Sequence, residues 1–213
     1  TPGLRAVVLG AHGKAFCAGA DLNWMREMAG YSWDENHADA TRLADMLWAI
    51  ASCPVPVIAR VQGVATAAGC QLVAMCDLAV ASRDARFAVS GINLGLFCAT
   101  PSVALSRNIP RKAAFEMLVT GRFVGADEAL ALGLVNRVVD ADRLDAEVES
   151  LVAAIVEKPR VALAMGKALF YRQLEAGMAA AYEDAGHTMA CNMMDGSALE
   201  GVQAFIDKRP PRW

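Results

Sequence analysis

The chain has 213 residues, of which 55% are hydrophobic and 20% are charged, and its net charge is −3 at neutral pH. This composition supplies a large buried core and excludes a disordered chain. The slight excess of acidic residues argues against a nucleic-acid surface, which needs basic residues to neutralise phosphates. The length fits one domain, or a core with an appendage.

The first half of the chain alternates strand-like runs with helical segments. Short runs rich in Val, Ile and Ala stop at turn signals, and they predict strands at 5–10, 56–61, 77–82 and 86–89. Helices are predicted at 22–30 and at 34–52, where apolar residues recur at helical spacing. The segment 62–76 is predicted to turn and enter a further helix. Strands that alternate with helices pair in parallel through right-handed crossovers, so the sequence predicts an α/β fold.

Helices dominate from Pro101 onward. A short helix followed by a glycine and a strand is predicted within 125–139. Further helices are predicted within 111–121, 142–159, 160–175, 178–193 and 197–207. This final helical block either covers the core or builds contacts between subunits.

The sequence shows no targeting signal, transmembrane segment or metal-binding pattern. Its longest uncharged run, 61–76, is shorter than the ~20 residues of a membrane span and is interpreted as core. The six cysteines form no CxxC pair and have no zinc-ligand spacing, which favours reduced thiols and a cytoplasmic location. Because the chain lacks an initiator Met and enters a strand almost at once, part of the N-terminus is expected to be missing.

Two turns rich in Gly and Ala follow buried strands, "FCAGAD" at 16–21 and "GVATAAGCQ" at 63–71. Small residues let a backbone approach a ligand closely, and a helix that begins at such a turn exposes unpaired N–H groups. Two turns side by side could direct two N–H groups at one oxygen and form an oxyanion hole. The alternative is that both are only tight turns.

The chain resembles the enoyl-CoA hydratase/isomerase family, also called crotonases, in motifs that cover most of its length. The matching motifs are "GKAFCAGADL" (13–22), "PVIARVQGVATAAGCQLVAMCDLAVAS" (56–82), "FAVSGINLGL" (87–96), "AAFEMLVTGRFVGADEALALGLVNRVV" (113–139) and "EGVQAFIDKRPPRW" (200–213). It looks most similar to the subgroup labelled enoyl-CoA hydratase domain-containing, whose members commonly lack the usual catalytic glutamates.

The resemblance implies a crotonase-like spiral of ββα units, with a C-terminal helical region for oligomerisation. It assigns residues 1–140 to the spiral core that binds acyl-CoA and residues 141–213 to trimer contacts and to covering the CoA. Family members usually carry a further strand pair and helix at the N-terminus, so that part of the fold is expected to be missing. The expected assembly is a homotrimer or a dimer of trimers.

The resemblance also implies a coenzyme A thioester as substrate, with no separate cofactor and no metal. The thioester carbonyl would lie between the backbone N–H groups of Ala20 and Ala68, and residues 18–22 would border the adenine and pantetheine. The predicted substrate-binding residues are Ala18, Asp21, Leu22, Gly69, Cys98, Phe205 and Lys208. Phe205 and Lys208 could reach the CoA of a neighbouring subunit, although Lys208 could equally be a solvated charge.

The two catalytic glutamates of the hydratases are absent. Gln71 and Gly91 occupy their positions, and neither side chain can transfer a proton. Gln71 could still orient a water or a substrate carbonyl, or it could bond to backbone in a closed core. Cys98 is a conceivable nucleophile or weak acid, but no base is visible next to it.

These replacements leave several functions open. The family default is hydration of a 2-enoyl-CoA through a stabilised thioester enolate. The alternatives are an acyl-CoA decarboxylase, a thioesterase or a non-catalytic binder of CoA thioesters. A nucleic-acid-binding role is disfavoured by the acidic composition.

Overall fold

The computed structural model describes residues 3–213, which form two compact units. The core unit comprises residues 8–51 and 57–149. The C-terminal unit comprises residues 150–213 together with the described residues up to 7 and residues 52–56. All candidate site residues except Phe205 and Lys208 belong to the core unit.

Seven strands form two sheets among the described residues. They are β1 (Val7–Leu9), β2 (Val57–Val61), β3 (Val64–Thr66), β4 (Leu78–Ser82), β5 (Arg86–Ala88), β6 (Val124–Gly125) and β7 (Arg137–Val139). The first sheet has the order β1-β2-β4-β7, and the second has the order β3-β5-β6. Pairing is parallel between β2 and β4, between β4 and β7, and between β3 and β5, whereas β6 runs antiparallel to β5.

Ten α-helices connect and follow these strands. They are α1 (Leu22–Met28), α2 (Trp33–Ala51), α3 (Ala68–Met75), α4 (Ala99–Asn108), α5 (Arg111–Thr120), α6 (Ala126–Leu132), α7 (Leu144–Val156), α8 (Arg160–Leu174), α9 (Met178–Met193) and α10 (Gly196–Ile206). Successive strand pairs, β2 with β3 and then β4 with β5, each add one strand to each sheet. This is the predicted spiral, and the α/β class and the parallel pairing are confirmed.

The sequence analysis missed β3 and β6. The segment that contains β3 is rich in Gly and Ala, so it was interpreted as a turn. Its strand geometry comes from partners distant in sequence, because β3 pairs with β5 along its whole length. Tertiary pairing therefore overrides weak local β-propensity here. Strand β6 has two residues, which is too short for an alternating pattern to show.

The core between the helices and sheets is apolar and closely packed. Fully buried side chains include Ile58, Val80, Phe87, Leu105 and Met117. Burial of each such side chain contributes about 1.5–3 kcal/mol relative to full exposure. This packing fixes the strand ends from which the candidate site is built.

The described residues contain no helix that is both long enough and apolar enough to cross a membrane. Nor do residues 3–213 place three or more His, Cys, Asp or Glu side chains where they could share a metal ion. All six cysteines are free thiols.

Candidate functional site

The two Gly/Ala-rich turns meet at the start of α3. The N–H of Cys17 donates to the carbonyl of Val64 at 3.1 Å, and the N–H of Thr66 donates to the carbonyl of Cys17 at 2.9 Å. The Thr66 hydroxyl adds a hydrogen bond to the carbonyl of Ala18 at 2.9 Å. Residues 17 and 18 therefore run alongside β3 as a short parallel bridge, which holds the first turn against the second.

Gly69 permits this contact. A β-carbon at position 69 would lie 2.2 Å from the Cys17 carbonyl oxygen and 2.8 Å from the Cys17 β-carbon. No side chain fits at that distance, so the first turn of α3 can pack on the Cys17 backbone only when residue 69 is glycine. Sequence reasoning assigned Gly69 to substrate binding, whereas its observed contacts join the two turns.

Two backbone donors are left unpaired where the turns meet. Ala68 is the first residue of α3, and Ala67, which precedes it, provides no side-chain cap. Within residues 3–213, neither the N–H of Ala68 nor that of Ala20 donates a hydrogen bond. The N–H of Ala68 also lies at the positive end of the α3 dipole. Both predicted oxyanion-hole donors are thus available to a ligand oxygen.

A strained residue sets the direction of the second donor. Ala67 has φ 49° and ψ −114°, a backbone conformation that favours glycine. Such strain costs about 1–3 kcal/mol and persists only where the surroundings hold the residue in place. The surroundings include a hydrogen bond of 2.9 Å from the Ala67 N–H to the carbonyl of Ala88 at the end of β5. The turn that presents the Ala68 N–H is therefore fixed by its neighbours.

Gln71 lies on the same face of α3 as Ala68, because residues three apart in a helix are neighbours. Its side chain is 3% exposed, and its Oε1 atom has no hydrogen-bond partner among the described residues. Helical side chains lean toward the N-terminus, which directs the Gln71 side chain toward the first turn of α3. A buried acceptor without a partner costs about 1–3 kcal/mol, and a ligand or a water could satisfy it.

The position of the second hydratase glutamate is closed to side chains. A β-carbon at Gly91 would lie 2.7 Å from the Cys98 sulfur and 2.8 Å from the Leu96 carbonyl oxygen. The Gly91 N–H donates to the same Cys98 sulfur at 3.2 Å. Cys98 therefore occupies the space that a side chain at position 91 would enter, a relationship that sequence reasoning did not predict.

Cys98 is one of three buried thiols of the core unit, with Cys70 and Cys76. Cys98 immediately precedes α4 and is 8% exposed. Cys70, on α3, is fully buried, and this burial raises the pKa of its thiol to about 12. Cys70 therefore remains a neutral thiol at physiological pH.

Other acidic residues of the matched motifs have structural partners. Asp21 caps α1, accepting hydrogen bonds from the backbone at 2.7 and 3.5 Å. Asp77 accepts a hydrogen bond of 2.6 Å from the first residue of β2. Glu116 and Glu128 both pair with Arg122, at 3.2 and 2.6 Å. These contacts give the four carboxylates a role in holding elements together.

The remaining predicted substrate-binding residues lie in two places. Ala18 lies in the first turn, and Leu22 follows that turn at the start of α1, where it is 66% exposed. Phe205 and Lys208 belong to the C-terminal unit. There Phe205 is 86% exposed and lines an apolar groove of about 500 Å³. Lys208 follows α10 with φ 53°.

The tip of the chain is anchored within the C-terminal unit by Glu200. Its carboxylate accepts hydrogen bonds from the Arg209 guanidinium at 2.7 and 3.0 Å and from the Arg212 N–H at 2.8 Å. The bonds from Arg209, aided by that from Arg212, lower the pKa of Glu200 to about 2. The segment "DKRPPRW" is thus folded back along α10.

Sequence reasoning missed several residues that build this site. Cys17 and Thr66 hold the two turns together, and Ala67 and Ala88 fix the strained entry to α3. The small residues at 66–69 were the available signal, because a run of them marks a place where backbones come close. The pairing partners themselves could not be read from that signal.

The sequence matches a known protein family over its whole length. A family model described as enoyl-CoA hydratase/isomerase covers residues 1–213. Enoyl-CoA hydratase domain-containing protein 3, mitochondrial, of Rattus norvegicus is 43% identical over 211 residues, which is 99% of this chain and 69% of that protein.

Solved structures show the same fold. The crystal structure of an enoyl-CoA hydratase from Mycobacterium smegmatis is 68% identical, with a TM-score of 0.95, over 98% of this chain and 80% of that one. The human enoyl Coenzyme A hydratase domain-containing protein 3 is 43% identical, with a TM-score of 0.93, over 99% of this chain and 82% of that one. The predicted resemblance, including its subgroup, is confirmed.

The prediction of a cytoplasmic location is wrong by the same comparison. The relatives from Rattus norvegicus, Mus musculus and Homo sapiens, which are 43%, 43% and 42% identical, are named as mitochondrial proteins. Reduced cysteines occur in more than one compartment, so they could not have distinguished these locations.

Proposed function

We propose that this chain, which belongs to the enoyl-CoA hydratase/isomerase family, binds an acyl-CoA thioester and stabilises the thioester enolate. The observation that carries the proposal is the pair of unpaired N–H groups of Ala20 and Ala68, on two turns held together by backbone hydrogen bonds. The thioester carbonyl accepts hydrogen bonds from both. In an oxyanion hole, each such donor contributes about 2.7–4 kcal/mol to transition-state stabilisation.

The acyl-CoA lies along the first turn and the start of α1. Ala18, Asp21 and Leu22 border the adenine and pantetheine, and the exposed Leu22 side chain supplies apolar contact area. Gly69 and Cys98 border the reacting end of the acyl chain. Coenzyme A is part of the substrate, so no separate cofactor is required.

The default reaction is hydration of a 2-enoyl-CoA. Gln71 Oε1 has no partner in the described residues, and it accepts a hydrogen bond from the attacking water. An amide orients water but cannot take its proton, so this route is slower than one with a glutamate.

Decarboxylation of a 2-carboxyacyl-CoA is a second candidate, and the closed space at Gly91 favours it. Loss of CO₂ leaves the bonding electrons on C2 and generates the enolate without a base. Two N–H donors that stabilise an enolate oxygen are sufficient for that step. A site without either glutamate can therefore serve this reaction better than hydration.

The C-terminal unit is proposed to form subunit contacts. It presents several large apolar side chains to solvent: Met178 is 79% exposed, Met194 83% and Phe205 86%. Isolated exposed apolar residues are common, but a cluster on one unit indicates a surface that associates. A homotrimer or a dimer of trimers would bury it, with residues 141–213 covering the CoA of a neighbour through Phe205 and Lys208.

Proline at position 68 tests the proposed function, because it removes one N–H donor; since Ala67 before it has ψ −114°, acyl-CoA binding must also be measured to show that the turn survives. Ala68→Pro is expected to lower kcat/KM by about 10²–10³ for whichever reaction occurs. Loss of the conjugated double bond of a short trans-2-enoyl-CoA follows hydration, and CO₂ release from a 2-carboxyacyl-CoA follows decarboxylation.

Arg111→Pro is the matched control. Arg111 is the exposed first residue of α5, and Pro110 before it has ψ 135°, which a following proline accepts. This variant should keep wild-type turnover. Turnover that survives Ala68→Pro would contradict the oxyanion hole. Binding of acyl-CoA without turnover of either substrate would identify a non-catalytic binder.

A further inference from the structure

We infer that Cys98 is a further catalytic residue that exchanges a proton with C2 of the acyl chain. The inference rests on the proposed function, because it requires the thioester carbonyl at the Ala20 and Ala68 N–H groups. It goes beyond that function by naming the group that moves the proton in a site from which both glutamates are absent.

Strand register places the Gly91 segment, which is hydrogen-bonded to Cys98, at the sheet edge where α3 begins. Thr66 and Ala88, the last residues of β3 and β5, are directly paired. The next residue after β3, Ala67, donates its N–H to the Ala88 carbonyl at 2.9 Å. After β3 the chain continues to Ala68, and after β5 it continues to residue 91. Both segments therefore leave the same edge of one sheet.

The thiol is then held at residue 91. The Gly91 N–H donates to Cys98 Sγ at 3.2 Å, and the sulfur fills the space that a β-carbon at Gly91 would need. Glycine at position 91 therefore leaves the space that the Cys98 thiol occupies.

Two groups at the start of α3 point to a ligand at this sheet edge. Gln71 Oε1 is buried without a partner, and the Ala68 N–H is unpaired within the described residues. Neither group titrates at physiological pH. Cys70 does not substitute, because burial raises the pKa of its thiol to about 12 and keeps it neutral. Cys98 is the thiol that is hydrogen-bonded at position 91, where relatives place a catalytic glutamate.

The proposed step balances within the site. The Cys98 thiolate takes a proton from C2, and the electrons of the C–H bond form the enolate. The enolate oxygen is held by the N–H groups of Ala20 and Ala68. The resulting S–H returns its proton to C2, or it exchanges with water first. After decarboxylation only the second half occurs: S–H protonates C2, and water reprotonates the sulfur.

Hydrogen exchange at C2 of butyryl-CoA in D₂O measures this step without depending on the full reaction. The wild-type protein should exchange one of the two C2 hydrogens, because a group fixed on one side of the chain reaches only one of them. Cys98→Ala and Cys98→Ser should slow the exchange by about 10²–10⁴, the range for a positioned acid or base. Cys70→Ala is the matched control, and it should exchange within about threefold of the wild type, since its neutral thiol takes no part.

A second measurement shows whether the thiol faces the ligand. Iodoacetamide labelling of Cys98, read by peptide mass spectrometry, should be blocked by bound butyryl-CoA. Cys98→Ala should still bind butyryl-CoA, which shows that this variant is folded.

The outcomes separate this inference from the proposed function. Exchange at the wild-type rate in Cys98→Ala, no exchange in the wild type, or labelling unaffected by butyryl-CoA would each overturn the role of Cys98. Each of these could occur with the carbonyl of the bound thioester still polarised. A bound thioester whose carbonyl is not polarised would contradict the proposed function, and therefore also the role of Cys98.

Discussion

Replacing Gly91 with glutamate is expected to disrupt the corner around Cys98 rather than to restore a hydratase acid. The new β-carbon would lie 2.7 Å from Cys98 Sγ and 2.8 Å from the backbone oxygen of Leu96. Overpacking by even a small group costs about 1–3 kcal/mol. Gly91→Ala should therefore lower the free energy of unfolding by that amount, and Gly91→Glu by more, because it also buries a carboxylate.

Urea unfolding measures this decrease in the free energy of unfolding, with Gly186→Ala as the control. Gly186 lies in α9 with open space where its β-carbon would stand, so that variant should gain about 0.5–1 kcal/mol from better helix propensity. The combined variant Gln71→Glu with Gly91→Glu should show no increase in 2-enoyl-CoA hydration. A stable Gly91→Glu protein with faster hydration would mean that the loop from Gly91 to Leu96 can move aside.

Replacing Gly69 with alanine should have the largest effect on stability. The added β-carbon would lie 2.2 Å from the Cys17 carbonyl oxygen, which belongs to backbone already bonded to Thr66. Neither partner can move without breaking the bridge between the two turns. The expected loss is about 3 kcal/mol or more, at the upper end of overpacking costs.

The same substitution should weaken acyl-CoA binding, because separation of the turns separates the Ala20 and Ala68 donors. Isothermal titration with butyryl-CoA would show that loss, and urea unfolding would show the loss of stability. Gly166→Ala is the matched control: Gly166 lies within α8, with open space where a β-carbon would stand, and should be neutral or slightly stabilising. A Gly69→Ala protein as stable as the wild type would show that the turns are not held as closely as described.

Helices and most strands could be predicted because their signals are local. The run "VIARV" reads as a buried strand, and Gly121 and Gly133 end helices in left-handed conformations that favour glycine. β3 could not be predicted, because its residues are small and its geometry comes from pairing with β5. Local signals carry no information about a partner twenty residues away.

The candidate site, too, was predictable only where its signals are local in the sequence. The two Gly/Ala-rich turns predicted a pair of N–H donors, and the family resemblance assigned them to Ala20 and Ala68; the structure leaves both N–H groups without a partner among the described residues. The strain at Ala67 and the closure of the space at Gly91 depend on distances between distant segments. The absence of glutamate at positions 71 and 91 was visible in the sequence, but the contact between Gly91 and Cys98 was not.

The central claim is that the N–H groups of Ala20 and Ala68 polarise a bound thioester. Isotope-edited infrared spectroscopy tests it directly, with butyryl-CoA carrying ¹³C at the thioester carbonyl. The carbonyl stretching frequency should fall below its value in water on binding to the wild type and to Arg111→Pro, and most of the shift should vanish in Ala68→Pro. A bound thioester whose frequency equals the aqueous value in all three proteins would contradict the oxyanion hole.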